Sequence, residues 1–223
     1  RIVDCIEAAA TLSFDEGLAT EGRLFMGLKD GSQSAAMRHM FFAQREANKI
    51  KGIGKETAKR PIKSVAIIGG GTMGGGIAMN FANVGIPVTM LEINDEALQR
   101  GLAIVDKNYS MTVKKGKLSE EQKQGCLSLI SGTTDYQDLA TADLVIEAVF
   151  ENLEIKQQVF AQLDKVCKPG AILASNTSYQ DVNAIAAVTT RPEDVIGLHF
   201  FSPANIMKLL EIVRADKTSD EVI

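Results

Sequence analysis

Residues 64–92 read SVAIIGGGTMGGGIAMNFANVGIPVTMLE, and this stretch decides the fold. Its first apolar run, residues 65–68, is typical of a central parallel strand that is covered on both faces. Apolar residues recur at helical spacing over residues 77–82, and Gly85 and Pro87 end that pattern before a second apolar run. The stretch therefore predicts a strand, a glycine-rich turn, a helix and a second strand.

The glycine turn has the spacing of a dinucleotide-binding loop. Gly69, Gly71 and Gly74 form G-x-G-x-x-G. The first glycine permits the tight turn, the second lets the backbone approach a pyrophosphate, and the third lets the helix pack closely on the strand. The helix would also aim its free N–H groups at the phosphates. The alternative is a flexible glycine-rich loop, whereas a P-loop is excluded because no Gly-Lys-Ser/Thr closes the turn.

Glu92 ends the second strand, where such a motif needs an acid for the hydroxyls of the adenine ribose. A carboxylate at this position repels a 2'-phosphate. The sequence therefore predicts NAD as the cofactor rather than NADP.

The composition excludes several classes of protein. The chain has 223 residues, 45% of them hydrophobic, and a net charge of -4. This length allows one substantial domain plus an appendage. The charge argues against nucleic acid and against an anionic membrane surface as partners.

Cys5, Cys126 and Cys167 are widely spaced and match neither C-x-x-C nor a zinc pattern. They predict buried or incidental thiols in a reducing compartment, and no metal site. No apolar run is long enough to span a bilayer, and no signal peptide opens the chain. We therefore expect an intracellular protein, cytoplasmic as in bacteria, with peroxisome and mitochondrion as alternatives. Because the chain starts at Arg1 without a methionine and ends in a polar stretch, we also expect a fragment.

The rest of the chain divides into a helical lead-in and an alternating α/β part. Residues 1–60 show three segments with helical periodicity, the third over residues 33–50, and then a basic linker, which predicts a helical connector from a missing N-terminal domain. Residues 61–223 alternate strands and helices, with a clear strand over residues 143–151, which predicts a Rossmann-type doubly wound α/β fold with a mostly parallel sheet. The lysines of KKGK, residues 114–117, are either a solvated face or a contact for an anionic substrate.

Polar residues that follow apolar runs are the candidates for chemistry, because ligands bind at the carboxyl ends of strands in such sheets. Four places qualify: Glu147 with Glu151, residues 175–178, His199, and Glu211. A histidine suits a dehydrogenase that must take the proton of an alcohol. Glu211 could orient that histidine if their strands lie side by side. The alternatives are a structural histidine among aromatic residues and a surface or capping carboxylate.

Several motifs resemble one known family. GGGTMGGGIA, VIEAVFENLEIKQQVF, SNTSYQ and above all GLHFFSPANIMKLLEIV are similar to the NAD-binding domain of L-3-hydroxyacyl-CoA dehydrogenase, over about residues 62–215. In the lead-in, FDEGL followed by FFAQREANK resembles the connector between the hydratase and dehydrogenase domains of multifunctional fatty-acid β-oxidation enzymes.

The resemblance implies roles for individual residues. It makes His199 the catalytic base, Glu211 its partner, and Ser178 a neighbour of the substrate hydroxyl and the nicotinamide. The positions that it implies for cofactor contact, besides the glycine turn, are Met73, Glu92, Val149, Glu151, Lys156, Ser178 and Ser202. Ser202 departs from the family, which often has asparagine there; its hydroxyl can still form a hydrogen bond, but its side chain is shorter. Without the resemblance, SNTS is a strand-end turn and Lys156 a solvated helix residue.

The activity implied is NAD-dependent oxidation of L-3-hydroxyacyl-CoA to 3-oxoacyl-CoA. Acyl-CoA is then the substrate, and a homo-oligomer or a complex with a thiolase subunit is the expected assembly. The resemblance also places a substrate-binding asparagine in a helical C-terminal domain beyond this chain. The alternatives are a non-catalytic NAD-binding or assembly module and another NAD-dependent hydroxyacid dehydrogenase.

Overall fold

A computed structural model describes residues 1–47 and 49–223, which form two compact units, Arg1–Lys55 and Glu56–Ile223. The division at residue 55 lies close to the boundary that the sequence predicts at residue 60.

The first unit is helical, as its periodicity predicts. It contains α1 (Ile2–Thr11), α2 (Phe14–Lys29) and α3 (Ser32–Ala47). Ser13 begins α2 with a capping box, in which its hydroxyl accepts from the Glu16 N–H and the Glu16 side chain accepts from the Ser13 N–H. The third helical segment was predicted to run to residue 50, but the helix ends at Ala47, and Asn48 lies outside the described residues.

The apolar stripes of these helices lie largely at the surface of the chain. Among the described residues of the three helices, Ala8 is the only buried one. Large apolar side chains that are at least half exposed are Ile2, Val3, Ile6, Phe14, Leu18, Phe25, Leu28, Met37, Met40, Phe41 and Phe42. A helix normally buries its apolar stripe against another element, and among the described residues of this unit the three helices do not cover one another's apolar faces.

The second unit is built on a seven-stranded sheet in the order β3-β2-β1-β4-β5-β6-β7. The strands are β1 (Val65–Ile68), β2 (Val88–Leu91), β3 (Ile130–Thr133), β4 (Leu144–Glu147), β5 (Ile172–Ser175), β6 (Val195–Phe200) and β7 (Leu210–Val213). Strands β1 to β6 are parallel, and β7 pairs with β6 in the antiparallel direction. The predicted doubly wound α/β fold with a mostly parallel sheet is confirmed.

Helices cover both faces of the sheet. They are α4 (Thr72–Ala82), α5 (Asp95–Lys114), α6 (Glu120–Leu127), α7 (Leu153–Val166) and α8 (Val182–Ala186). Two short 3-10 helices, Tyr136–Leu139 and Pro192–Asp194, complete the unit. Alternate residues of β1 point into two separate cores, with Ile67 in one and Ile68 in the other. This two-sided burial explains why the strand reads as a continuous apolar run.

Two features of the second unit differ from the sequence prediction. The strand predicted over residues 143–151 ends at Glu147, because the Val149 N–H turns back to Glu147 Oε1 at 2.8 Å and takes the chain out of the sheet. Helix α6 was not predicted, although Ser119 and Gln122 form a capping box at its start and S-x-x-Q is a known start signal.

Candidate cofactor and catalytic site

The candidate residues project from one edge of the sheet. Ile68, Glu147, Ser175 and Gly197 lie in register across β1, β4, β5 and β6, near the carboxyl ends of these strands. The strand order reverses between β1 and β4, and ligands of open α/β sheets bind at such a reversal. The glycine turn follows Ile68 at this point.

The glycine turn has the geometry that a bound pyrophosphate requires. Gly69 has φ +97°, and a Cβ there would lie 2.8 Å from the Ala148 carbonyl oxygen. A Cβ on Gly74 would lie 1.7 Å from the Gly69 carbonyl oxygen, so only glycine lets α4 pack under the turn. Gly71 precedes α4, and a Cβ there would meet nothing within 4 Å. The turn therefore has open space beside Gly71 and the N-terminus of α4, where a phosphate would fit.

Glu92 lies against the glycine turn. Its Oε1 accepts a hydrogen bond from the Gly70 N–H at 2.6 Å, and its Oε2 accepts one from the Ile93 N–H at 3.1 Å. Each carboxylate oxygen has two lone pairs, so both oxygens can accept further bonds from ribose hydroxyls. Glu92 is therefore suited to hold an adenine ribose and also ties β2 to the turn.

Two of the predicted cofactor-contact residues are half-buried beside the turn. Met73 lies in the first turn of α4 and packs against the core on one side of the sheet. Val149 packs against the core on the other side, and its N–H donates to Glu147 Oε1 at 2.8 Å. The packing of these two side chains against the cores gives them no contact at the open space beside Gly71, so their cofactor contacts stay predictions.

Lys156 is not a solvated helix residue. Its side chain is 1% exposed, and its Nζ lies 2.8 Å from Glu147 Oε1 and 3.2 Å from Glu151 Oε2. Glu147, with a fully buried side chain, also accepts from Ser175 Oγ at 2.6 Å. The alternative of a solvated lysine is wrong because α7 turns this position onto the end of β4.

Glu151 joins this cluster to the loop after β5. Its Oε1 accepts from the Ser178 N–H at 3.0 Å and from the Thr177 hydroxyl. Burial would raise the pKa of the Glu151 carboxyl, but the hydrogen bonds from Thr177 and Ser178 and the charge of Lys156 outweigh burial and lower the pKa. Glu151 is thus held as a carboxylate beside the exposed Ser178.

His199 and Glu211 are brought together by the last two strands. They are register partners on β6 and β7, and His199 Nδ1 lies 2.7 Å from Glu211 Oε2. The His199 side chain is 20% exposed, and its ring lies 4.7 Å from the ring of Phe201. With Nδ1 bonded to the carboxylate, Nε2 is the nitrogen that can face a substrate. This arrangement can accept a proton at Nε2 and balance the resulting charge with Glu211.

Ser202 lies in the exposed loop after β6, and a cis peptide bond joins it to Pro203. The loop is attached to α4, since Asn80 Nδ2 donates to the Ala204 carbonyl at 3.0 Å. Whether Ser202 contacts a cofactor stays a prediction.

Two residues of this edge, Glu147 and Asn176, were candidates for chemistry because they stand at strand ends, but neither was given a role. Glu147 places a charge at the end of an apolar strand, which was the available signal for a buried polar contact. Asn176 Oδ1 accepts from the Phe200 N–H at 2.9 Å and so ties the loop after β5 to β6, next to His199. No pattern in the sequence indicated the hydrogen bond between Asn176 and Phe200.

Other predictions concern residues away from this edge. Cys167 is buried, which raises the pKa of its thiol to about 11, whereas Cys5 and Cys126 are only half-buried. The lysines of KKGK are exposed, so both interpretations of them stay open. Over residues 1–47 and 49–223 no three His, Cys, Asp or Glu side chains cluster closely enough to hold a metal ion. Within the same residues, no helix has the length and apolar character needed to cross a membrane.

Two curated relatives resemble nearly the whole chain. The peroxisomal fatty acid beta-oxidation multifunctional protein AIM1 of Arabidopsis thaliana is 41% identical over 222 residues, which are 99% of this chain and 31% of the relative. The peroxisomal bifunctional enzyme of Danio rerio is 43% identical over 225 residues, 98% of this chain and 31% of the relative. The chain therefore spans about a third of the length of these relatives.

A solved structure and a family model match the second unit. The (S)-3-hydroxybutyryl-CoA dehydrogenase PaaH1 from Ralstonia eutropha superimposes with a TM-score of 0.70 at 44% identity, covering 72% of this chain and 56% of that one. The model of the 3-hydroxyacyl-CoA dehydrogenase, NAD binding domain, matches residues 64–223. With its glycine turn, its acid at the end of β2 and its paired histidine and glutamate, the chain belongs to the family of NAD-binding domains of 3-hydroxyacyl-CoA dehydrogenases.

Proposed function

We propose that the protein to which this chain belongs oxidises L-3-hydroxyacyl-CoA to 3-oxoacyl-CoA with NAD, and that this chain supplies the cofactor site and the catalytic base. The observation that carries the proposal is the His199–Glu211 pair, at 2.7 Å, on the same sheet as the glycine turn, from whose strand β1 it is separated by β4 and β5. A module that only binds NAD has no need of such a pair. This pair also argues against other hydroxyacid dehydrogenases, which commonly share only the glycine turn.

In this proposal His199 Nε2 receives the proton of the substrate hydroxyl, while Glu211 accepts the Nδ1–H and balances the positive charge of the ring. NAD, when bound, supplies the hydride acceptor. A fixed hydrogen bond at Nδ1 keeps the ring in one tautomer and orientation, so the proton acceptor stands ready before the substrate arrives. Ser178, exposed beside Glu151, is the candidate to contact the substrate hydroxyl and the nicotinamide.

The geometry of the glycine turn supports the proposed cofactor contacts. Gly69, Gly71 and Gly74 would hold the pyrophosphate at the start of α4, and Glu92 would accept from the ribose hydroxyls. A 2'-phosphate would meet the Glu92 carboxylate, which is already fixed by the Gly70 N–H. Met73, Val149, Glu151 and Ser202 complete the proposed cofactor-contact set. Lys156, whose side chain is 1% exposed, is proposed to act on the cofactor through Glu151.

We also propose a domain organisation. Residues 1–60 act as a helical connector to a preceding domain, and residues 61–223 form the NAD-binding domain, with the substrate domain following. The support is that the relatives are about three times as long as the matched part, and that α1 to α3 expose apolar stripes. A preceding domain would cover those stripes.

Partners and compartment belong to the same proposal. Acyl-CoA is the proposed substrate, and a homo-oligomer or a complex with a thiolase subunit is the proposed assembly. The two multifunctional relatives named above are peroxisomal by name. We keep the cytoplasm of a bacterium as the proposed compartment and the peroxisome as the alternative.

The direct test uses acetoacetyl-CoA and NADH, the reverse of the proposed reaction. The chain should quench or shift NADH fluorescence on binding, and the enzyme with its substrate domain should consume NADH only when acetoacetyl-CoA is present. NADH binding without any acyl-CoA-dependent turnover of that longer protein would favour the non-catalytic module. Turnover with other 2- or 3-keto acids but not with acetoacetyl-CoA would favour another dehydrogenase.

A further inference from the structure

A fully buried ion pair lies directly beneath the candidate cofactor site. The side chains of Glu147, at the end of β4, and Lys156, on α7, are 0% and 1% exposed. Burying two charges costs more free energy than a surface pair does, and an apolar pair of similar size is often as stable. Stability alone therefore does not explain why a buried ion pair lies at this place.

Glu147 is bonded on every side. Its Oε1 accepts from Lys156 Nζ and from the Val149 N–H, both at 2.8 Å, and its Oε2 accepts from Ser175 Oγ at 2.6 Å. Its backbone carbonyl accepts from the Asn176 N–H at 2.8 Å. The Glu147 carboxylate thus fixes the start of the loop after β4 and the last residue of β5, and its backbone carbonyl fixes the start of the loop after β5.

Lys156 connects Glu147 to a second carboxylate, that of Glu151. Its Nζ lies 3.2 Å from Glu151 Oε2, and Glu151 Oε1 accepts from the Ser178 N–H at 3.0 Å and from the Thr177 hydroxyl. Glu147 is buried, but the sequence of contacts from Glu147 through Lys156 and Glu151 ends at the exposed Ser178.

The charges of the cluster make Glu147 necessary for its geometry. The ammonium of Lys156 stands between two carboxylates and is drawn to both. Without the charge on Glu147, the ammonium would be drawn towards Glu151 alone, and the Val149 N–H would face a weaker acceptor. Both changes shift the backbone of residues 149–151 and the Ser178 amide.

We infer that Glu147 is a positioning residue for the NAD site, acting through Lys156 and the Val149 N–H to hold Glu151 and Ser178 in place. The inference rests on the proposed function, because it takes the edge that carries Val149, Glu151 and Ser178 to be the cofactor site. Glu147 itself touches neither cofactor nor substrate.

The test is a double-mutant cycle on NADH affinity, with Glu147→Gln, Glu151→Gln and the double variant, each measured by fluorescence titration of the 223-residue chain. If Glu147 acts through Glu151, each single change weakens NADH binding by about tenfold and the double variant is also only about tenfold weaker. A purely structural role would instead make the two losses multiply. Asp143→Asn is the matched control, since it neutralises a lysine-paired carboxylate near the opposite end of β4 and should leave NADH affinity unchanged.

Three results would overturn the inference: unchanged NADH affinity of Glu147→Gln, losses that multiply in the double variant, or an equal loss in Asp143→Asn. If Glu147→Gln does not fold, the doubly neutral variant Glu147→Gln/Lys156→Met takes its place, because it leaves no buried charge unpaired. NADH affinity of that variant equal to the unmodified chain's would also overturn the inference. Failure of the unmodified chain to bind NADH would overturn the proposed function itself, and the inference with it.

Discussion

His199 and Glu211 stand directly opposite each other on β6 and the antiparallel β7, and their side chains meet at 2.7 Å because the two residues are register partners. Directly paired residues of neighbouring strands point to the same face of the sheet, so the register alone aims both side chains at one side. If β7 were shifted in register by one residue, the Glu211 carboxylate would point to the opposite face of the sheet. The last strand therefore serves to deliver Glu211 to the histidine.

We expect His199→Gln to lower the turnover of the enzyme by about two to four orders of magnitude, the usual range for a positioned acid-base group. NADH affinity should stay nearly intact, because the glycine turn and Glu92 are untouched. The measurement is NADH oxidation with acetoacetyl-CoA in the longer protein. His39→Gln, on α3, is the matched control and should retain full turnover. Normal turnover of His199→Gln would remove this residue from the mechanism.

Glu92→Ala should weaken NADH binding and relax discrimination against NADPH. The loss has two sources, since the carboxylate would accept from the ribose and already accepts from the Gly70 N–H at 2.6 Å. Fluorescence titrations of the chain with NADH and NADPH measure both effects. Glu96→Ala, an exposed carboxylate in the first turn of α5, should change neither. Equal affinity of the unmodified chain for both cofactors would contradict the role of Glu92.

Two alanine substitutions in the glycine turn should fail in different ways. Gly74→Ala would place a methyl group 1.7 Å from the Gly69 carbonyl oxygen, so we expect loss of folding or a large drop in the melting temperature. Gly71→Ala meets no atom within 4 Å and has an ordinary φ of -67°, so the chain should fold. Its methyl group would occupy the approach of the pyrophosphate, and we expect NADH affinity to fall by at least about tenfold.

Thermal unfolding and NADH titration of the two glycine variants separate these outcomes. Gly125→Ala, in α6, also meets open space and serves as the control, with normal NADH binding and unchanged or slightly higher stability. Gly71→Ala with unimpaired NADH binding would show that the pyrophosphate does not lie at this turn.

Much of this site follows from local sequence spacing, and the remainder depends on tertiary contacts. The glycine turn and Glu92 are predictable because the motif places them within one strand-helix-strand unit. His199 and Glu211 were expected to pair only if their strands were neighbours, which spacing alone cannot decide. Without the family resemblance the sequence predicts a solvated Lys156. Nothing local indicates that α7 turns this lysine towards Glu147, nine residues earlier at the end of a buried strand.

The boundaries show a similar division. The three lead-in helices and the strand alternation follow from periodicity, whereas the end of β4 depends on a bond between the Val149 N–H and the Glu147 side chain. Helix α6 lacks a clear apolar stripe, so its capping residues were the only local signal. A buried charge such as Glu147 is therefore best sought where an acidic residue interrupts an apolar strand.

Asp143 should make stability depend on acid pH. Hydrogen bonds from Lys168 and from the N–H groups of Lys63 and Ser64 lower the pKa of its carboxyl to about 2. A carboxyl whose pKa is lower in the folded than in the unfolded chain stabilises the fold at pH values above its pKa in the unfolded chain. This stabilisation is lost as the pH falls towards 2. We expect Asp143→Asn to lower the free energy of unfolding by about 1 to 2 kcal/mol at pH 7, and by about half as much at pH 3.

Urea unfolding of the unmodified chain and of Asp143→Asn at pH 7, 5, 4 and 3 measures this difference. The control is Asp220→Asn, which neutralises an exposed carboxylate whose Oδ1 lies 4.0 Å from Arg214 Nη2. It should change the free energy of unfolding little at any of these pH values. A difference between Asp143→Asn and the unmodified chain that stays constant down to pH 3 would contradict the lowered pKa.

The chain by itself should bind NADH but have little or no dehydrogenase activity. In the proposed function it supplies the base and the cofactor site, whereas the family resemblance implies that much of the substrate wall and a substrate-binding asparagine lie in a following domain. Holding two reactants in the correct orientation can be worth roughly 7 to 11 kcal/mol, so a base without a held substrate is a poor catalyst. An open cleft also stays wet, and water weakens the electrostatic interactions around His199. The measurement compares NADH oxidation with acetoacetyl-CoA by the 223-residue chain and by the same chain extended through the substrate domain, at equal concentrations of bound NADH. Turnover of the short chain close to that of the extended protein would mean that residues 1–223 already contain a complete active site.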